Sequence, residues 1–369
     1  MRHQGTYVYA QNLIGQFKKI AKADPGIRFC LFASPQAAND ANFVEPESGF
    51  ELSRTGWLSR DRLWRLGGAS LAASRAHADL VFSPTSNILP AGAIPVVCTI
   101  HDITPVVMPS HSRRVTMMLR SLLWWACRRS RAIITVSECS KRDLIRTYGM
   151  PESKVSVVYN GYDDAIFNSS PADAERQTLL RQRFGMDRSY LWHHGVIQPR
   201  KNLKRLIEAF RLVLARNAHL ELDLVLAGPL GWEYKEVLAT AAHAANNRGR
   251  VIVTGALQDA DLVALLKGTS LAVIPSLYEG FCFPMVEAMA CGVPVVAANA
   301  SCLPEVSGEV LQYFDPCSVE DMAACIEHTL QDEEARKGLA QRGRERAACF
   351  SWRRCAEETV DVLKRQGAR

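Results

Sequence analysis

Short, near-continuously apolar runs alternate with longer amphipathic stretches along almost the whole chain, and this alternation constrains the fold more than any other feature. In the first half the runs are 28–32, 79–82, 96–100, 132–136 and 155–159. In the second half they are 190–194, 222–226, 251–254, 271–274 and 293–296. Parallel strands covered on both faces have this composition, because neither face meets water. Between them lie segments such as 203–214, with apolar residues at 203, 206, 207, 210, 213 and 214, a helical stripe. The pattern predicts an α/β protein of doubly wound parallel sheets. A length of 369 residues suggests two such domains.

The spans predicted are 1–165 for the first domain, 166–187 for a linker, 188–348 for the second domain and 349–369 for a closing helix. The linker is drawn from Gly161 to about Asp187, a stretch rich in Asp, Asn, Ser, Pro and Ala with little strand character. Ligands of such sheets bind beyond the carboxyl ends of the strands. Two facing domains are therefore expected to hold an active site in the cleft between them.

Composition removes several classes. Apolar residues make up 48% and charged residues 22%, which excludes a largely disordered chain. The net charge of +6 is too mild for a dedicated nucleic-acid binder, though it suits phosphorylated ligands or acidic surfaces. No apolar run is long enough for a membrane helix, and residues 1–15 lack the pattern of a signal peptide. Eleven cysteines without a C-x-x-C pair suggest reduced thiols, a cytoplasmic setting and no zinc site. P-loop, G-x-G-x-x-G, H-E-x-x-H and G-x-S-x-G motifs are missing, so kinase, dehydrogenase, metalloprotease and hydrolase readings lack their residues.

The densest chemical signal is the string 275–294, PSLYEGFCFPMVEAMACGVP. A strand is expected to end near Pro275, a glycine-containing loop follows, and Pro284 suits the first turn of a helix. Amides at such a helix start can bind a diphosphate. Glu279 and Glu287 flank that anion site. Two carboxylates there oppose a bare phosphate, but they suit a ligand with hydroxyls on both sides of its diphosphate, as a nucleotide sugar has.

This string resembles the E-x7-E signature of retaining GT-B glycosyltransferases of family 4 (glycosyl transferases group 1). The resemblance implies that Glu279 contacts the donor sugar and Glu287 the ribose. Phe281 and Cys282 belong to the same donor-binding string, where Cys282 replaces the usual Gly and Phe283 the usual small aliphatic residue. The loop 195–203, GVIQPRKNL, is similar to the family's glycine-led loop, whose lysine neutralises the donor diphosphate. Lys201 takes that place. Val196 stands where many members carry Arg, and Arg200 is the candidate second cation. Basic charge at a helix start opposes the helix dipole, so an anionic ligand accounts for it better than solvation.

The string 100–105, IHDITP, is similar to the His-Asp loop of mannosyltransferase-like members. It implies a catalytic His101 in the cleft and an Asp102 that orients it or contacts the acceptor. Strings around Ser137, Asn160, Ser301 (S-x-L-P-E) and Phe350-Ser351-Trp352 extend the resemblance over nearly the whole chain. The last fits a closing helix that returns towards the first domain. Members normally begin with a strand and a glycine loop. Gly5-Thr6-Tyr7 reads as that loop, so the first strand is expected to be missing and Met1 to be an internal or truncated start.

The resemblance implies a retaining hexosyltransferase with catalytic His101, Lys201 and Glu279. The donor is expected to be GDP-mannose, and the acceptor a polyprenyl-diphosphate-linked or saccharide acceptor of O-antigen or exopolysaccharide synthesis. A UDP-sugar-dependent enzyme and a non-catalytic nucleotide-sugar-binding subunit remain alternatives. Asp259-Ala260-Asp261 has D-x-D spacing but reads as a helix start, so no cofactor and no obligatory metal are expected. Residues 113–131 carry six arginines, no acids, Met117, Met118, Trp124 and Trp125. Two readings stay open for them: peripheral membrane contact on the inner face, or a core helix with solvated arginines. No nucleic-acid partner is expected.

Overall fold

The structure is a computed structural model that describes residues 5–33, 49–54, 68–86, 94–109, 113–244 and 248–367. Twelve strands are present among them: β1 (Phe29–Ala33), β2 (Phe50–Arg54), β3 (Val81–Ser83), β4 (Val96–Ile100), β5 (Ala132–Thr135), β6 (Val155–Val157), β7 (Ser189–His194), β8 (Leu222–Ala227), β9 (Val251–Gly255), β10 (Leu271–Ile274), β11 (Val295–Ala298) and β12 (Gln312–Phe314). The chain divides into two units, one of residues 1–161 with 350–369, the other of residues 162–349.

The first unit holds a parallel sheet in the order β3-β4-β5-β6 and a separate parallel pair, β1-β2. Every residue of β4 and β5 is buried, as strands covered on both faces require. The helix Gly5–Ala23 buries Tyr9, Leu13, Phe17 and Ala21, one face at four-residue spacing. The Tyr9 hydroxyl and that of Thr99 in β4 lie 3.0 Å apart and share a hydrogen bond. The helix Trp352–Gly367 packs on the first helix and on β5. Rings of Tyr9 and Trp352 meet edge-on at 6.1 Å, and Lys364 bonds Asp24 at 3.2 Å.

The second unit holds six parallel strands in the order β12-β11-β10-β7-β8-β9. Numbered within the unit, this is the doubly wound dinucleotide-binding order, which reverses between its first strand (β7) and its fourth (β10). The helix Leu203–Arg216 buries seven apolar residues, including the predicted 203, 206, 207, 210, 213 and 214.

Three sequence expectations differ from the structure. Gly5-Thr6-Tyr7 is not a loop but the first turn of a helix, because the apolar stripe that begins at Tyr9 carries the helical pattern back to Gly5. The segment 166–187 is no bare linker. It includes the helix Ala174–Phe184, capped by Asp173, whose carboxylate accepts the Arg176 amide at 2.9 Å, and closed by Gly185 in the left-handed region. Its polar surface hid a helix that packs on Asp259–Lys267. Strands β2 and β12 were not foreseen; β12 closes one edge of its sheet, where a strand needs less apolar character.

Gly161 joins the C-terminal helix to the first unit at close range. A Cβ there would fall 2.1 Å from the Trp352 nitrogen and 2.4 Å from the Ser351 carbonyl carbon, and backbone cannot yield. Gly161→Ala is expected to destabilise by about 1–3 kcal/mol or more. Gly15→Ala, in a helix with open space around it, is expected to be neutral or stabilising by up to ~1 kcal/mol. Calorimetric melting of both variants checks the contrast.

Candidate functional site

In a doubly wound sheet the loops leaving the two strands at the reversal diverge and leave a crevice. Here those loops follow β7 and β10, and they carry the strongest sequence motifs: 195–202 and 275–282. The first loop runs from Gly195 through a 3-10 turn, Pro199–Lys201, into the helix Leu203–Arg216. The second leads to the helix Phe283–Ala290, with Pro284 in its first turn. A backbone hydrogen bond from the Leu277 amide to the Arg200 carbonyl, 2.8 Å, ties the two loops together.

Glu279 sits at the centre, buried, and each of its carboxylate oxygens takes one cation. Lys201 Nζ lies 2.6 Å from Oε1 and Arg200 Nη1 lies 2.5 Å from Oε2. Arg200 also donates to the Tyr278 carbonyl at 2.9 Å. Burial alone would push the Glu279 carboxyl up. The Arg200 and Lys201 charges and their hydrogen bonds outweigh it and hold the carboxyl down to about 2. Two cations against one carboxylate leave one positive charge uncompensated, a local preference for an anion. Lys201 reaches Glu279 by crossing Gly195, whose φ is +149°. A Cβ there would meet Lys201 Cε at 3.0 Å and Nζ at 3.2 Å. Ser301 braces Glu279 from the other side: its hydroxyl donates to the Glu279 carbonyl at 2.6 Å and accepts the Glu279 amide at 3.1 Å.

Glu287 lies one helical turn into Phe283–Ala290. Its Oε2 is buried without a hydrogen-bond partner, and His194 Nδ1 at the end of β7 stands 3.8 Å away. Burial, with repulsion from Asp259 and Asp163 and partly offset by Lys201, raises its carboxyl to about 8. At neutral pH it is therefore mostly an uncharged acid. In the unliganded site, then, Glu279 is paired with Arg200 and Lys201, and Glu287 adds little negative charge. Cys282 is buried and holds a left-handed conformation, φ 71°, at the cap of this helix. Its thiol is pushed up to about 12 by burial and the nearby Glu279. Phe281 is buried and meets the Phe283 ring edge-on at 5.4 Å.

The second unit thus brings Arg200, Lys201 and Glu279 together on its two loops, with Cys282 beside Glu279 and Glu287 on the helix that follows. His101 belongs to the first unit. There it follows β4, its Nε2 bonds the Pro84 carbonyl at 3.0 Å, and its ring stands edge-on to Tyr9 at 4.7 Å. Burial lowers its imidazole below the ordinary value, so at neutral pH it is uncharged and Nε2 is the donor. Asp102 accepts the Thr104 amide at 2.8 Å and so caps the next turn. Ser137 caps the helix Glu138–Tyr148 by accepting the Ser140 amide. Asp261 of the D-x-D pattern opens a helix and pairs with Arg176 at 2.6 Å.

Sequence reasoning missed His193. It is buried in β7, bonds the Val273 carbonyl through Nδ1 at 3.0 Å, and leaves Nε2 without a hydrogen-bond partner. Burial and the neighbouring Lys201 lower it to about 4. Two adjacent histidines before Gly195 were the available signal.

The geometry can now be set beside known proteins. Residues 178–346 match the family model described as glycosyl transferases group 1, and residues 23–166 match that of glycosyltransferase family 4. O-antigen chain mannosyltransferase B of Escherichia coli is 32% identical over 295 residues, 79% of this chain and 76% of that protein. The chain belongs to the glycosyltransferases of group 1 and family 4. Serotype-specific mannosyltransferase WbdA of the same organism is 30% identical over 287 residues, and the chain spans about a third of its length (34%). The fold is GT-B. Anabaena HepE, solved in complex with UDP and glucose, superposes with a TM-score of 0.73 over 98% of this chain and 96% of its own, at 22% identity. Sucrose-phosphate synthase from Thermosynechococcus elongatus gives 0.75 over 98% and 93%, at 18% identity. The motif readings at 195–203 and 275–294 therefore fall within a glycosyltransferase.

Two stability measurements check the electrostatics of this site. Glu279 is depressed from 4.5, so its contribution is present above about pH 4.5 and is lost as pH falls towards 2. Glu279→Gln takes the carboxylate away from buried Lys201 and half-buried Arg200 and is expected to cost about 3–5 kcal/mol at neutral pH, with a flatter acid limb in chemical denaturation. Glu287 has the opposite sign. Raised from 4.5 to about 8, it favours the fold at low pH and loses that contribution as pH rises through 8. Wild type should therefore lose stability relative to Glu287→Gln between about pH 5 and 9. A pH-independent difference in melting temperature would contradict the burial of this acid.

Proposed function

We propose that this glycosyltransferase is a retaining hexosyltransferase that takes mannose from GDP-mannose and gives it to a polyprenyl-diphosphate-linked or saccharide acceptor, at the cytoplasmic face of the membrane, in O-antigen or exopolysaccharide synthesis. The carrying observation is the clasp of Arg200 and Lys201 on Glu279, at the carboxyl ends of β7 and β10, with the unpartnered Glu287 oxygen eight residues on. Similarity to a mannosyltransferase over most of both chains supports mannose as the sugar.

In this reading the donor diphosphate takes up the cationic faces of Arg200 and Lys201. Its arrival releases Glu279 to accept hydrogen bonds from the sugar hydroxyls. Glu287 meets the ribose hydroxyls, and Phe281 and Cys282 shape the pocket wall. The C–O bond between sugar and diphosphate breaks and leaves negative charge on the departing phosphate. Fixed cations stabilise that charge without reorganising. The acceptor hydroxyl attacks from the side the phosphate leaves, and a phosphate oxygen takes its proton, so the anomeric configuration is kept. Glu279 positions the sugar and forms no covalent bond to it. His101, uncharged and with its Nε2 proton given to the Pro84 carbonyl, offers Nδ1 as a hydrogen-bond acceptor rather than a charge. These steps call for no metal in this reading.

The test is transfer of labelled sugar from GDP-mannose, UDP-glucose and related donors to a membrane lipid extract. Transfer from GDP-mannose with retention is expected. Lys201→Ala and Glu279→Ala should each slow it at least a hundredfold, a loss of ~3 kcal/mol of transition-state stabilisation. Excess chelator should leave the rate within about twofold, a difference of only ~0.4 kcal/mol. Transfer from a UDP sugar alone would replace the donor. Nucleotide-sugar binding without transfer would make the chain a binding subunit.

A further inference from the structure

The helix Arg113–Arg129 of the first unit has two unlike sides. One side, Thr116, Leu123, Ala126 and Cys127, is buried in its unit. The other is open and strongly apolar for a water-facing surface: Met117 is 60% exposed, Met118 53%, Trp124 47%, Trp125 40% and Val115 38%. Met117 and Trp124 are two turns apart and share one line along the helix, as do Met118 and Trp125. The short helix Thr104–Val107 packs on this helix, and its Val107 is 47% exposed. The two lines lie about 100° apart on the exposed half of the helix, with Ser121 and Arg128 between them, and large apolar side chains concentrated in this way mark a binding surface, whereas scattered ones do not.

The charges of the strip have one sign. Arg113, Arg114, Arg120, Arg128, Arg129 and Arg131 fall within residues 103–137, which contain no Asp or Glu. Arg128 lies over the Trp124 ring at 5.7 Å and Arg129 over Trp125 at 5.5 Å. Each pair presents an indole and a guanidinium side by side at the surface. Lys154 donates to the carbonyls of Cys127 at 2.7 Å and Arg128 at 3.1 Å. Those bonds satisfy acceptors of the last turn and bring another cation to the same end.

The geometry points to this strip as a docking surface for an anionic phospholipid bilayer. Indoles prefer the headgroup boundary, methionines and valines can enter the acyl edge, and arginines pair with lipid phosphates. A polynucleotide would use the arginines but gains nothing from exposed Met117, Met118, Val115 and Val107. An acidic protein would need carboxylates, which the same charge pattern would attract, but flat apolar insertion is better satisfied by lipid. No helix among the described residues is long and apolar enough to cross a membrane. All the residues belong to the first unit, so this inference stands or falls apart from the donor-site reading.

The full chain should float with phosphatidylglycerol-rich vesicles and stay behind with pure phosphatidylcholine. Arg128→Gln with Arg129→Gln should weaken partitioning roughly thirtyfold, from about one factor of five per arginine at an anionic surface. Trp124→Ser with Trp125→Ser should weaken it on the same vesicles even at low salt. Met117→Ser with Met118→Ser serves the same purpose should the tryptophan variant fail to fold. Failure of the wild type to float overturns the inference. So does equal flotation of the folded variants, binding to an RNA oligomer without binding to vesicles, or self-association through this strip in place of lipid binding.

Discussion

The clasp of two cations on one buried carboxylate is the interaction on which the rest of the site depends. A glutamate in that position without partners would be protonated or would unfold its surroundings. Paired as it is, Glu279 stays ionised and pins the loop after β10 to the loop after β7. The same pairing stores two cations in a water-poor place, where a second anion can compete for them. The ligand-free protein thereby holds its own carboxylate against the groups that a diphosphate would need. Binding then amounts to an exchange of partners rather than an assembly of new charge.

The fold explains why those loops meet. Parallel strands end on the same side, and a sheet that winds outward in both directions must part its loops at the starting point. Strand β7 is the first strand of the second unit's sheet and β10 begins the return, so residues some eighty positions apart become neighbours. Local details serve that meeting. Gly195 lets Lys201 cross the backbone, the left-handed Cys282 turns the chain into the next helix, and Ser301 holds the Glu279 peptide from a third loop. Cys282 does this at a cost, since a left-handed conformation disfavours any residue with a Cβ. Glycine would adopt it freely, which explains why glycine is usual there.

Much of this was legible in the sequence. Ten apolar runs became ten strands because interior parallel strands have to be apolar throughout. The two motif loops were legible because each follows an apolar run, and the structure brings their Arg200, Lys201 and Glu279 together at the strand ends. What escaped was set by context. Strand β12 has only three residues and lies at a sheet edge, and β2 belongs to a separate two-stranded pair. The helix Ala174–Phe184 was mistaken for linker because it buries few residues, although Asp173 and Gly185 mark its ends. The protonation of Glu287 and the neutrality of His193 follow from burial, which no residue pattern records. The pairing of Arg200 with Glu279 was equally hidden: the sequence supplies both charges but not the 2.5 Å between them.

The most direct measurement is ligand-induced stabilisation of the full chain by GDP compared with guanosine, in wild type and in Lys201→Ala. A ligand that binds only the folded state raises the melting temperature. If the clasp is a diphosphate site, GDP raises it, guanosine raises it far less, and the gap between them closes in the variant. An equal shift with GDP in both proteins, or equal shifts with GDP and guanosine, would mean that these cations do not hold the diphosphate.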